Sequence, residues 1–153
     1  MILWLLGSGA AFALSCLPWT HRMAFAAASA SEDTYIVVRG ALIFDRSRLP
    51  KTDWQKQGAT PQQTRIPARV NGKALTASGF TAPVALNVDL FVGCSGAWCA
   101  SVGKTKDHLM FLKRTATGYH LSTDPCGGDV FSAPTAEALH EVEQCFNGAA
   151  CAP

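Results

Sequence analysis

Cysteine is the residue type whose number and spacing most invite chemistry in this chain. Six occur, at Cys16, Cys94, Cys99, Cys126, Cys145 and Cys151. A dithiol oxidoreductase needs C-x-x-C at the start of a helix, where the helix dipole lowers the thiol pKa. Cys94-Ser95-Gly96-Ala97-Trp98-Cys99 instead has four residues between its cysteines and follows a strand pattern. A zinc site needs closely paired Cys or His ligands, and His108, His120 and His140 are scattered singly. In an exported chain such thiols are oxidised to bridges. The disulfide candidates are therefore Cys94, Cys99, Cys126, Cys145 and Cys151. Cys145 is expected to pair with Cys151, because Asn147-Gly148 between them is a helix stop that folds the chain back. Cys126 is expected to pair with Cys94 or Cys99, and the five cysteines that remain once the N-terminal segment with Cys16 is removed leave one thiol unpaired.

Other chemistry finds little support. A serine hydrolase would place Gly-x-Ser-x-Gly between strand and helix, and Gly93-Cys94-Ser95-Gly96 fails that spacing. The sequence contains no phosphate-cradling glycine loop, H-E-x-x-H helix or acidic calcium loop, and Asp124 to Asp129 reads as a plain turn. His140, beside Glu141 and Glu143, reads as the solvated side of a helix. Trp98 between two cysteines is expected to pack over a disulfide. Arg65, Arg69 and Lys73 fall near one strand, where an anionic site is conceivable, although charges on an edge strand also discourage aggregation. No residue is assigned a catalytic, cofactor-binding or metal-binding role.

The elements that must carry these residues read mainly as β. Tyr35 to Phe44 is Ile/Val-rich and interrupted by Gly40, which suits a long strand bent at the glycine. Leu49 to Gln63 is polar, with Trp54 its only large apolar group. Thr64, Ile66, Ala68 and Val70 alternate with polar positions and with Pro67, which points to an edge strand, and Asn71-Gly72 suggests a tight hairpin turn. Val84, Leu86, Val88, Leu90 and Val92 form the cleanest period-two run and mark the central strand. His108 to Arg114 and Tyr119 to Ser122 form a hairpin around Thr115-Ala116-Thr117-Gly118. Pro134 opens a helix with Leu139, Val142, Cys145 and Phe146 on one face. About five strands and a C-terminal helix predict a small OB-like antiparallel barrel; an open sheet with the helix across one face is the alternative.

Met1 to Trp19 carries no charged side chain and has an apolar core from Ile2 to Leu17, while Ala24 to Ala30 offers small-x-small triplets of the kind signal peptidase accepts. The expected organisation is a signal peptide at 1–30 and a single disulfide-stabilised domain at 31–153. An uncleaved membrane anchor, since about 18 apolar residues span a bilayer, and a lipidated Cys16 are the other readings. Charged residues make up 16% of the chain, below the roughly 25% of soluble domains, and the net charge of +2 provides no field to hold nucleic acid. A membrane contact follows only if the N-terminal segment stays attached.

Tyr35-Ile36-Val37-Val38-Arg39-Gly40-Ala41-Leu42, the strand ending in Gly93 to Cys99, and Pro125-Cys126-Gly127-Gly128 with Pro134-Thr135 and Cys145 to Cys151 resemble small exported proteins of alphaproteobacteria. Over residues 34–122 the strand order is similar to the OB-fold domain of tissue inhibitors of metalloproteinases and related netrin-type modules. In those inhibitors an amino-terminal cysteine sits at the protease zinc. Cleavage near Ala30 would expose Ser31 and make Cys94 the first mature cysteine, so the resemblance implies the fold and not the inhibitory residue. The sequence thus points to a periplasmic or secreted, non-catalytic binding or protein-interaction module without a cofactor. Its ligand is unspecified, and an envelope protein is the class of partner that this location suggests. The alternative is a periplasmic thiol-disulfide redox or metal-binding protein using the unpaired cysteine.

Overall fold

Alternation of apolar and polar residues along four long segments sends one face of each strand inward, and the strands curl until that face is enclosed. The computed structural model describes residues 15–151. The elements are α1 (His21–Ala30), β1 (Tyr35–Phe44), β2 (Gln63–Thr76), β3 (Gly79–Ser95), β4 (Trp98–Cys99), β5 (His108–Thr115), β6 (Gly118–Asp124), β7 (Gly127–Gly128), β8 (Val130–Ser132) and α2 (Ala136–Phe146). β1 pairs antiparallel with β2 and β5, β2 with β3, and β5 with β6. β3 then pairs parallel with β6, from Val88↔Tyr119 to Val92↔Thr123, and closes a barrel-like ring in the order β1-β2-β3-β6-β5. The mainly β, OB-like, five-strand expectation with a C-terminal helix holds. The closing ladder is parallel, where an all-antiparallel ring was expected.

Two cores result. Val38, Leu42, Ile66, Val70, Leu90, Val92, Met110, Leu112 and Leu121 fill the ring. Outside it, Val37, Leu109 and Phe111 on β1 and β5 meet Ala24 of α1 and Leu139 and Val142 of α2. β5 is therefore buried on both faces, and His108 through Leu112 are all inaccessible. This explains its unbroken apolar run, which a one-sided strand would not show.

Asn71-Gly72 is not a turn: β2 runs through it to Thr76. Gly72 pairs with Gly40 across β1–β2, where a Cβ on Gly40 would lie 2.2 Å from the Asn71 carbonyl oxygen and one on Gly72 equally close to that of Arg39. The two glycines allow the backbones to pinch together. Pro67 does not mark an edge strand either, because β2 lies between β1 and β3. It falls just beyond Phe44↔Ala68, the last β1 pair, where β2 has a ladder on one side only. In α2, capped by the Thr135 hydroxyl accepting from the Ala138 N–H, Leu139, Val142 and Cys145 turn inward, but Phe146 stays 45% exposed.

The chain before β1 takes part in the fold. Of the 1–30 segment expected to leave as a signal peptide, the apolar core up to Leu14 lies outside the described residues, whereas 21–30 form α1, seated on α2 and β5. No helix among the described residues is long and apolar enough to cross a membrane.

Two outcomes test this packing. Gly40→Ala or Gly72→Ala should lower the unfolding free energy by about 1–3 kcal/mol in urea titration, while Gly58→Ala, with open space around it, should be nearly neutral. His108 is 1% exposed, and burial pulls its pKa below the ordinary value against the opposing pull of the Gly103 and Gly40 carbonyls. Its folded pKa lies below the unfolded value of about 6.5, so its contribution is complete above that pH and is lost as pH falls toward the folded value. Asp129, whose pKa burial pushes up to about 6, contributes in the opposite sense over the same range, so the test is the difference between variants: from pH 7 to pH 5 the thermal midpoint of His108→Gln should fall less, or rise more, than that of the wild type.

Candidate functional site

The helices cover the outer face of β1 and β5 and the hairpin end of β2 and β3 at Leu75 and Phe80, and leave the outer face of β2, β3 and β6 around Arg69, Asn87 and His120 bare. On this bare face the register sets side chains in rows. Ile43, Arg69 and Asn87 lie opposite one another on β1, β2 and β3, beside Gly118 at the start of β6. The next row holds Pro67, Asp89 and His120, and the one beyond it Arg65, Phe91 and Ser122. Between the first two rows runs an open groove of about 330 Å³, with Thr117 and Tyr119 also in its lining. Gly118 leaves a gap in the first row because it has no side chain. Its φ of +142° also suits glycine.

The groove's charges are unevenly used. Arg65 donates to Asp89 at 2.7 Å and holds that carboxyl below the ordinary carboxylate range. His120 lies 4.0 Å from the same carboxylate and packs edge-on against Phe91, with ring centroids 4.8 Å apart. Arg69 makes no ion pair among the described residues. Ile43 beside it is 51% exposed. The arrangement offers a cation, an amide and an apolar contact within one shallow trough. That suits recognition of a carboxylate or similar anion next to an apolar group. Of the three basic residues noted near one strand, the groove recruits Arg69, Arg65 is committed to Asp89, and Lys73 lies further along β2 beside Arg39.

The cysteines assemble elsewhere, and none is free. Cys145 pairs with Cys151 as expected. Cys94 pairs with Cys99 across the β3–β4 hairpin, where Gly96 takes a φ of +59°. Cys126 pairs with neither of these but with Cys16, 110 residues away. The odd count came from setting Cys16 aside; with Cys16 present, the six cysteines make three bridges. The sulfur that lipidation would use is likewise engaged. Trp98, expected in the core, lies nearer the surface. It is half-buried and meets the exposed Trp54 edge to face, with centroids 5.2 Å apart.

Asp124 does form a turn, accepting from the Cys126 N–H at 2.8 Å. Asp129, at its end, has its pKa pushed up to about 6 by burial, against the backbone N–H of Ser122. His140 is exposed as expected, but its neighbour Glu141 is engaged by His21 of α1. Among the described residues no group of three or more His, Cys, Asp or Glu side chains is placed to hold a metal. A second, apolar cavity of about 390 Å³ opens between Phe25, Tyr35, Leu75 and Phe146. Alternation was enough to place Arg69 and Asn87 on the outer face. The pairing of β3 with β6, which adds Gly118 and His120, left no signal in sequence because it joins strands about 30 residues apart in parallel.

The bridges differ in what they close. Constraining a loop of about 100 residues in the unfolded chain is worth roughly 4–5 kcal/mol, and one of about six residues roughly 2. The Cys16→Ser/Cys126→Ser double variant should therefore lose about twice the urea unfolding free energy of Cys94→Ser/Cys99→Ser.

Comparison of the chain with family models, with curated proteins and with solved structures finds no match, so the functional reading rests on the ring, its bridges and the groove alone.

Proposed function

We propose that the protein is an exported, periplasmic or secreted, non-catalytic binding module that presents the β2–β3–β6 groove to a ligand carrying a carboxylate beside an apolar group. The observation that carries this reading is the row Ile43, Arg69, Asn87, Gly118. It sets an arginine without an ion pair among the described residues and a half-exposed isoleucine over a gap left by glycine. Three disulfides support an oxidising location, since such bridges persist outside the reducing cytosol. The outer face of the second and third strands is also where OB-folds hold their ligands, a likeness of fold and not of chemistry. A netrin-type affiliation is part of this proposal and rests on the ring order. An envelope protein with an acidic, partly apolar segment is the class of partner the groove suits, and nucleic acid is not, given a net charge of +2.

The test uses isotope-labelled, oxidised protein titrated with two short blocked peptides, acetyl-Leu-Glu-amide and acetyl-Leu-Gln-amide. Amide shifts for the acidic peptide should cluster at residues 43, 69, 87, 117 and 118, and Arg69→Gln should weaken binding about tenfold. Equal response to both peptides, or shifts confined to another face, would remove the groove from consideration.

A further inference from the structure

We infer that the export leader is removed upstream of Cys16, at one of the small-x-small triplets Ala11-Phe12-Ala13 or Ala13-Leu14-Ser15, so that Cys16, Trp19 and α1 belong to the mature domain. This rests on the export reading above. Cleavage hydrolyses one peptide bond: water adds, the leader departs with a new carboxylate, and the domain begins with a new ammonium at Leu14 or Cys16. Both sites satisfy the small-residue rule as well as the alanine triplets of residues 24–30 do.

Three independent features of the fold require residues 16–30. Cys16 is the partner of Cys126, and only its retention leaves an even number of cysteines. Trp19 has a seat built for it. Its indole N–H donates to the Gly128 carbonyl at 2.8 Å, and a Cβ on Gly127 would stand 2.5 Å from the indole, so Gly127 is the residue that admits the ring. α1 completes the outer core, with Ala24 2% exposed and Phe25 edge-on to Phe111 at 6.5 Å between centroids. His21 engages Glu141 of α2, and Arg22 donates to the Ala150 carbonyl. The alanines that mimic a cleavage site are helix formers, and the smallest side chains let α1 approach its neighbours. A cut at Ala30 would uncover Phe111 and Leu109 and strand Cys126.

The full chain is expressed in a bacterium with an intact envelope. The protein recovered from the periplasm is then read by intact mass, amino-terminal sequencing and a non-reducing peptide map. The expected product begins at Leu14 or Cys16 and carries a Cys16–Cys126 cross-linked peptide. Ala13→Arg, which spoils both triplets, should accumulate uncleaved chain, whereas Ala30→Arg, at an exposed helix end, should mature as the wild type does. Cys126→Ser should expose one reactive thiol, at Cys16. A periplasmic product starting at Ser31, a block by Ala30→Arg, or a membrane-bound chain retaining Met1 would overturn the inference while leaving export intact. Recovery from the cytosol with Met1 present and all thiols reduced would overturn the export reading and this inference with it.

Discussion

The parallel pairing of β3 with β6 is the constraint on which the rest depends, because it turns a row of strands into a ring with an inside and an outside. The ring gives each of β1, β2, β3, β5 and β6 a partner strand on both sides over part of its length, which shortens the edges left open. It also divides every strand's side chains between two environments. Inward positions make a core. Outward positions are either roofed by helices, over β1, β5 and the hairpin end of β2 and β3, or left to solvent, over the rest of β2, β3 and β6. Helices and groove occupy complementary halves of the same outer surface.

Closure at this size demands that strands bend hard, and Gly40 facing Gly72 is where that strain is accommodated. With no Cβ on either residue, the β1 and β2 backbones approach more closely than any other pair of residues would permit. The same device recurs in β7, where Gly127 gives up its side chain so that Trp19 can lie against the strand, and Gly128 its own so that the backbone can approach Ser122 and Thr123 of β6. Among the described residues, glycine therefore marks close backbone contact as well as turns. The roofing layer then draws the two ends of the chain together: α1 and α2 share a core, and Cys16 is tied to Cys126.

Much of the fold was legible from local pattern. β3 and the β5–β6 hairpin follow from period-two alternation and a Gly-containing turn. α2 follows from its apolar spacing and its Asn147-Gly148 stop, and Cys145–Cys151 from the short loop that stop creates. The misreadings share one cause. Asn71-Gly72 resembles a hairpin turn and Pro67 an edge, because each motif has two physical uses and only its surroundings choose between them. Phe146 fits the apolar period of α2, yet it stays half-exposed at the cavity it shares with Phe25, Tyr35 and Leu75.

The sequence by itself determined the class of structure: strands from alternation, a terminal helix from its period, and bridges rather than reactive thiols from spacing that suits neither C-x-x-C chemistry nor zinc. Local sequence can do this because side-chain periodicity and backbone preference act over a few residues. Only the tertiary structure decided which cysteine joins Cys126, that β5 is covered on both faces, and that Ile43, Arg69, Asn87 and Gly118 form one row. Those outcomes depend on residues far apart in the chain meeting across the closed ring, and no short-range pattern encodes a contact whose partner lies tens of residues away.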